Sequence, residues 1–216
     1  MNENQENTVK EVKQETVKTT FREARESIKK EAEVGKGLLK NLWKNPIETI
    51  KEIAEDKENK TLKTALILVA IWTTVALLNM ILFYATNKWL SFNFLSTLKV
   101  MLEPVLTVLA MTLSIYVIKD RAKDSISNIL TSVTVAYIPS MIAALLWLLE
   151  YISIKMTTIL SPISSLLRLV SIVLMYHTVK ELMQEDNESK AIKNFIKVEA
   201  LFYVIVFLIS FLGISL

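Results

Sequence analysis

The sequence predicts an all-α fold, a polytopic membrane protein in which five transmembrane helices form a bundle preceded by amphipathic N-terminal helices. Three observations carry this expectation. The 216-residue chain is 52% hydrophobic with a mean hydropathy of +0.38, too apolar for an ordinary water-soluble domain. The stretch Ser127–Leu149 carries no charge until Glu150, and it is long enough to cross a bilayer as a helix. Charge gathers instead at the start of the chain, where residues 1–63 hold 14 Lys/Arg and 13 Asp/Glu. Only 3 glycines are present, which speaks against a β-rich fold with many tight turns. The absence of cysteine excludes disulfides, thiolate metal sites and cysteine nucleophiles. A net charge of +3 with no basic face offers nothing to nucleic acid.

Residues 1–63 are expected to be a separate, water-facing, cytoplasmic region. The first dozen residues are polar enough to be disordered. From Thr16 a helical period places Val17, Phe21, Ala24, Ile28 and Ala32 on one narrow face, and Gly35 and Gly37 are expected to end that helix. In the following segment Lys36, Lys40 and Lys44 lie opposite Leu38, Leu39 and Leu42, with Trp43 at the boundary. Asn45 as a cap, Pro46 in the first turn and Glu48 in capping-box position then start another helix, whose apolar face is Ile47, Ile50, Ile53 and Ala54. Two short helices over Leu38–Ala54 therefore read as lying on the membrane surface, with Leu38, Leu39, Leu42, Trp43 and Pro46 as interface residues. The alternative is that they pack on other protein.

The membrane domain, residues 64–216, divides into spans at about 65–85, 100–118, 127–149, 156–176 and 196–214. Asn79 is the one strongly polar residue of the first. Glu103 sits beside Pro104 early in the second, with Thr107 and Ser114 on its face. The third carries Ser132, Ala136, Ser140 and Ala144 at successive i, i+4 positions, a small-residue stripe that lets a neighbouring backbone come close. The fourth contains Pro162 and Arg168, with Ser161, Ser164, Ser165 and Ser171 on the arginine's side. The fifth carries Glu199 and, one turn on, Tyr203. Pro104, Pro139 and Pro162 offer one kink site in each of three consecutive spans.

The N-terminal region and the loops after the second and fourth spans hold 14, 3 and 4 Lys/Arg, whereas the opposite loops hold 2 and 1. Positive residues stay inside, so the N-terminus is expected in the cytoplasm and the C-terminus on the opposite side. MNENQENTVK has no apolar core behind a basic start, so the first span should serve as an uncleaved signal anchor.

The order of LWKNPIETI, AYIPS in the third span and SKAIKNFIKVEALF before the last resembles the Yip (Ypt-interacting protein) domain family, over roughly Leu38 to Gly213. The resemblance implies a five-span fold with a cytoplasmic N-terminus, and points to a prokaryotic-type member. Eukaryotic members act in vesicle traffic and bind small GTPases and one another. The tyrosine–glycine–proline element of some trafficking members is missing from this N-terminal region, which argues against GTPase binding.

Arg168 is the strongest site candidate, because an arginine near mid-membrane costs about 2.5–3.5 kcal/mol on insertion scales and is normally paired or faces a wet cavity. Glu199 and Glu103 are its candidate partners, and Glu199 is favoured because arginine should lean toward the nearer, inner surface. His177, the single histidine, reads as an interfacial side chain at a helix end. No phosphate loop, Ser/His/Asp set or metal-binding helix motif occurs, and no cofactor is expected. An enzyme is thus the least favoured class. The leading expectation is an integral membrane adaptor or scaffold that recruits partner proteins or self-associates through its spans in the lipid bilayer. The alternative is a small transporter or channel using Arg168 with Glu103 and Glu199.

Overall fold

The structure, a computed structural model, describes residues 25–27, 29–56, 61–87, 90–119, 126–151 and 154–211. The first dozen residues, Val17, Phe21, Ala24 and Ile28 of the expected first stripe, the loop residues Lys88, Trp89, Arg121 and Lys123, and the chain beyond Phe211 lie outside these. Among the described residues there are helices and no strand: α1 (29–44), α2 (Pro46–Glu55), α3 (Leu62–Thr86), α4 (Phe94–Ile118), α5 (Ile126–Ala136), α6 (Ile138–Glu150), α7 (Ile154–Leu182) and α8 (Glu188–Phe211).

Four of these helices are long and apolar enough to cross a membrane, and α5 with α6 makes a fifth span if the bent pair is taken as one. Their surfaces suit that solvent. Leu66, Ile71 and Leu78 on α3, Leu166, Leu169 and Val173 on α7, and Val204, Phe207 and Phe211 on α8 are all exposed. Such a continuous apolar surface would drive aggregation in water and belongs in lipid. The helices extend beyond the apolar stretches that announce them: α4 begins at Phe94, α7 continues to Leu182 and α8 begins at Glu188.

The core is concentrated at the end of the bundle where α4 and α7 finish. Val108, Met111 and Ile115 of α4 meet Ile129 and Val133 of α5, Leu174, Val179 and Leu182 of α7, and Val198 of α8. Leu38 and Leu42 of α1 and Ile50 and Ile53 of α2 belong to this same core. Ile50 is 0% exposed, and Asn128 Nδ2 of α5 donates to the Ala54 carbonyl at 2.6 Å, pinning the end of α2. The expectation of a separate, water-facing region up to residue 63 is therefore corrected: its last two helices are built into the bundle. The apolar rows that suited a lipid surface serve equally to seal a protein core, since both are non-directional burial.

Two local expectations change with it. α1 continues through Gly35 and Gly37. Glycine costs a helix about 1 kcal/mol against alanine, and burial of Leu38 and Leu42 offsets that. At Gly35 an added Cβ would stand 3.7 Å from Thr64 Cγ2, and nearby Thr64 Oγ1 donates to Glu31 Oε2 at 2.9 Å, tying α1 to the start of α3. Asn45 makes no side-chain cap. Its Nδ2 reaches Glu48 Oε2 at 3.4 Å instead, while Pro46 occupies the first turn as expected.

Of the three prolines in the spans, Pro104 and Pro162 lie within continuous helices, whereas Pro139 follows a real break. α5 and α6 meet at Tyr137 with a bend of 46°. The break frees amide groups of the first turn of α6, and in a membrane these must be satisfied by protein. Ser171 of α7 does so: its Oγ accepts from the Ser140 backbone N–H at 2.9 Å and lies 2.8 Å from Ser140 Oγ. At the α7–α8 turn, Tyr176 Oη and Lys180 Nζ both donate to the Glu188 carboxylate, holding the last two helices together.

Candidate functional site

Away from the sealed end, α3, α4, α6 and α7 diverge around a groove of about 410 Å³. α3 contributes Trp72 and Asn79, α4 contributes Glu103 and Thr107, the break contributes Tyr137, and α6 and α7 contribute Trp147 and Arg168. Trp72 and Tyr137 form one aromatic wall, their ring centroids 5.7 Å apart. On the other side the Arg168 guanidinium lies 5.1 Å above the Trp147 ring, a cation–π contact that gains strength where water is scarce.

Arg168 and Glu103 are both exposed at the groove, so the groove opens sideways, toward the lipid. Arg168 and Glu103 share this lining, but the two do not close a direct ion pair. Asn79, by contrast, is 8% exposed. Its Nδ2 donates to the Ala144 carbonyl at 3.1 Å, while its Oδ1 is buried without a partner. The Ala144 carbonyl can only accept, and that fixes which end of the amide faces it. Oδ1 is therefore an unfilled acceptor in a wall that also carries a carboxylate and a guanidinium.

The family model for the Yip1 domain matches residues 40–214. The chain belongs to the Yip1 domain family. No curated protein and no solved structure matches it. The resemblance carried by LWKNPIETI, AYIPS and SKAIKNFIKVEALF is thus upheld, and two of the three segments mark structural joints of this Yip1-domain chain. LWKNPIETI spans the α1–α2 corner, and AYIPS spans the α5–α6 break.

The favoured pairing of Arg168 with Glu199 is corrected by the geometry. Arg168 is turned onto Trp147 of α6, and Glu103 is the carboxylate beside it in the groove. Glu199 is half-buried on α8 and lies outside the groove lining. Depth along the helices allowed either partner, and rotation about α7 decided it. The serine stripe also divides: Ser164 and Ser171 are buried, whereas Ser161 and Ser165 are exposed. The small-residue row of the third span is split by the bend, with Ser132 and Ala136 buried in the bundle and Ser140 and Ala144 lining the groove.

Among the interface residues, Leu38 and Leu42 are buried against the bundle and are not lipid-facing as expected; Leu39 and Trp43 are exposed and Pro46 is half-buried. Leu39, Trp43 and Pro46 border an apolar cleft of about 460 Å³ against α6 and α7, with His177 also in its lining. Sequence reasoning singled out Arg168 and Glu103 but missed the part played by Asn79, Tyr137, Trp72 and Trp147. A signal was present in Asn79, the only amide side chain within an otherwise apolar span.

Proposed function

We propose that this Yip1-domain protein is a non-enzymatic membrane adaptor that organises or recruits partner proteins at the bilayer. The observation that supports this reading is the seating of α1 and α2. One face of the pair is locked into the core by Leu38, Leu42, Ile50 and Ile53, and the other presents Lys40, Lys44, Glu48 and Trp43 outward. A docking surface on rigid elements loses less conformational entropy on binding than a flexible tail does. The transporter alternative fares worse, because Val108, Ile115, Val133 and Val179 are completely or almost completely buried at the end of the bundle that a solute would have to leave by.

The test is site-specific photo-crosslinking in intact membranes. A photoreactive side chain at Lys40 or Glu48 should give a discrete adduct with one protein species, and the same group at Leu208, on the lipid-facing side of α8, should not. Lipid adducts alone at all three positions would refute the adaptor reading. Arg168-dependent solute flux into vesicles reconstituted with the purified protein would favour the transporter instead.

A further inference from the structure

The groove carries an inference that goes beyond the adaptor reading and does not depend on it. We infer that it is a binding site for a zwitterionic head group containing a primary ammonium and a phosphodiester, as in phosphoethanolamine lipids. The ammonium is held by Asn79 Oδ1 and Glu103, and the phosphate by Arg168.

Four features lead there. The groove offers both signs of charge, with Glu103 and Arg168 in one lining and no direct ion pair between them. An acidic or a basic side chain from a passing helix would satisfy one and leave the other uncompensated in lipid, which is costly. A zwitterion satisfies both. The free acceptor is Asn79 Oδ1, buried and unpartnered; it requires a hydrogen-bond donor, which a primary ammonium has and a quaternary choline lacks, while a glycerol head group can donate but brings no positive charge to Glu103. The volume of about 410 Å³ suits a head group, whereas an α-helix of about 10–12 Å diameter is too wide to enter. Finally, the site is shallow enough to be reached. At about 1.5 Å per residue, Asn79 lies about 10 Å from the end of α3 at Thr86 and Glu103 about 14 Å from the start of α4 at Phe94. The head group enters sideways between the exposed Glu103 and Arg168 while the acyl chains stay in the bilayer. Trp72 and Trp147 supply the aromatic walls, and these also favour an ammonium.

The experiment uses the full-length protein purified in mild detergent, with bound lipid read by native mass spectrometry. It is offered phosphatidylethanolamine, phosphatidylcholine and phosphatidylglycerol of identical acyl chains. The wild-type protein should retain phosphatidylethanolamine about tenfold over the other two, the worth of one charge-assisted hydrogen bond. Asn79→Leu should bring phosphatidylethanolamine level with phosphatidylcholine, and Arg168→Gln should lower retention of all three lipids, since each carries the phosphate; Leu208→Ala, outside the groove, should keep both the preference and the retention. Should Asn79→Leu fail to fold, Glu103→Gln at the exposed rim provides the same reading. Competition by soluble glycerophosphoethanolamine would show that the head group suffices; failure of that competition, with the lipid retained, would assign the site to the membrane-anchored form. Equal retention of all three lipids by the wild type, a preference unchanged in Asn79→Leu and Glu103→Gln, retention unchanged in Arg168→Gln, or a transmembrane peptide crosslinking to Asn79 in place of lipid would each overturn the assignment.

Discussion

Ile50→Ala tests whether α2 belongs to the bundle or to the membrane surface. Ile50 is 0% exposed and shares a core with Ile129, Val179 and Leu182. The substitution removes three carbons, about 2.4 kcal/mol of transfer free energy at ~0.8 kcal/mol each. The cavity left behind adds to this, because surrounding helices relax only in part, so the expected loss is about 4 kcal/mol. Trp43→Ala is the matched control. Trp43 is larger, but at 81% exposure it contributes little to folding, and its removal should cost under about 1 kcal/mol. The assay is thermal or chemical unfolding of the purified protein in detergent micelles, followed by near-ultraviolet signals from the bundle tryptophans. A large drop for Ile50→Ala with a small one for Trp43→Ala is expected. If both variants unfold with the wild type, α2 rests on lipid and the packing argument fails.

Three further outcomes follow from the structure. Ser171→Ala deprives the Ser140 N–H of its acceptor at the α5–α6 break and should cost about 1–3 kcal/mol in the same unfolding assay; wild-type stability would mean that the bend is satisfied otherwise. In a double-mutant cycle, Arg168→Leu and Glu103→Gln should couple by about 1 kcal/mol, whereas Arg168→Leu and Glu199→Gln should be additive; the reverse would restore the Glu199 pairing. A reporter fused after Leu216 should be active outside the cell and one placed between Glu185 and Asn187 inside, because the Lys/Arg asymmetry orients the spans; matching locations would contradict an odd number of spans.

Membrane class, helix content and approximate spans were legible in the chain because they depend on composition and length: about 20 apolar residues suffice to cross a bilayer, and no partner helix need be known. Arg168 and Glu103 stood out for the same reason, since a charge inside an apolar span is conspicuous without any tertiary information. What surrounds those charges depended on tertiary structure. Leu38, Leu42 and Ile50 present an apolar row that membrane and protein core accept alike, so only packing could place them in the core. Arg168 had carboxylates within reach on two helices, and the choice was made by the rotation that lays its guanidinium on Trp147. Pro104, Pro139 and Pro162 are chemically equivalent, yet only the segment at Pro139 breaks, where Ser171 on a neighbouring helix receives the freed amide. The periodicity of a single helix records which faces are apolar, but the neighbour across each face is fixed by three-dimensional packing among helices distant in sequence.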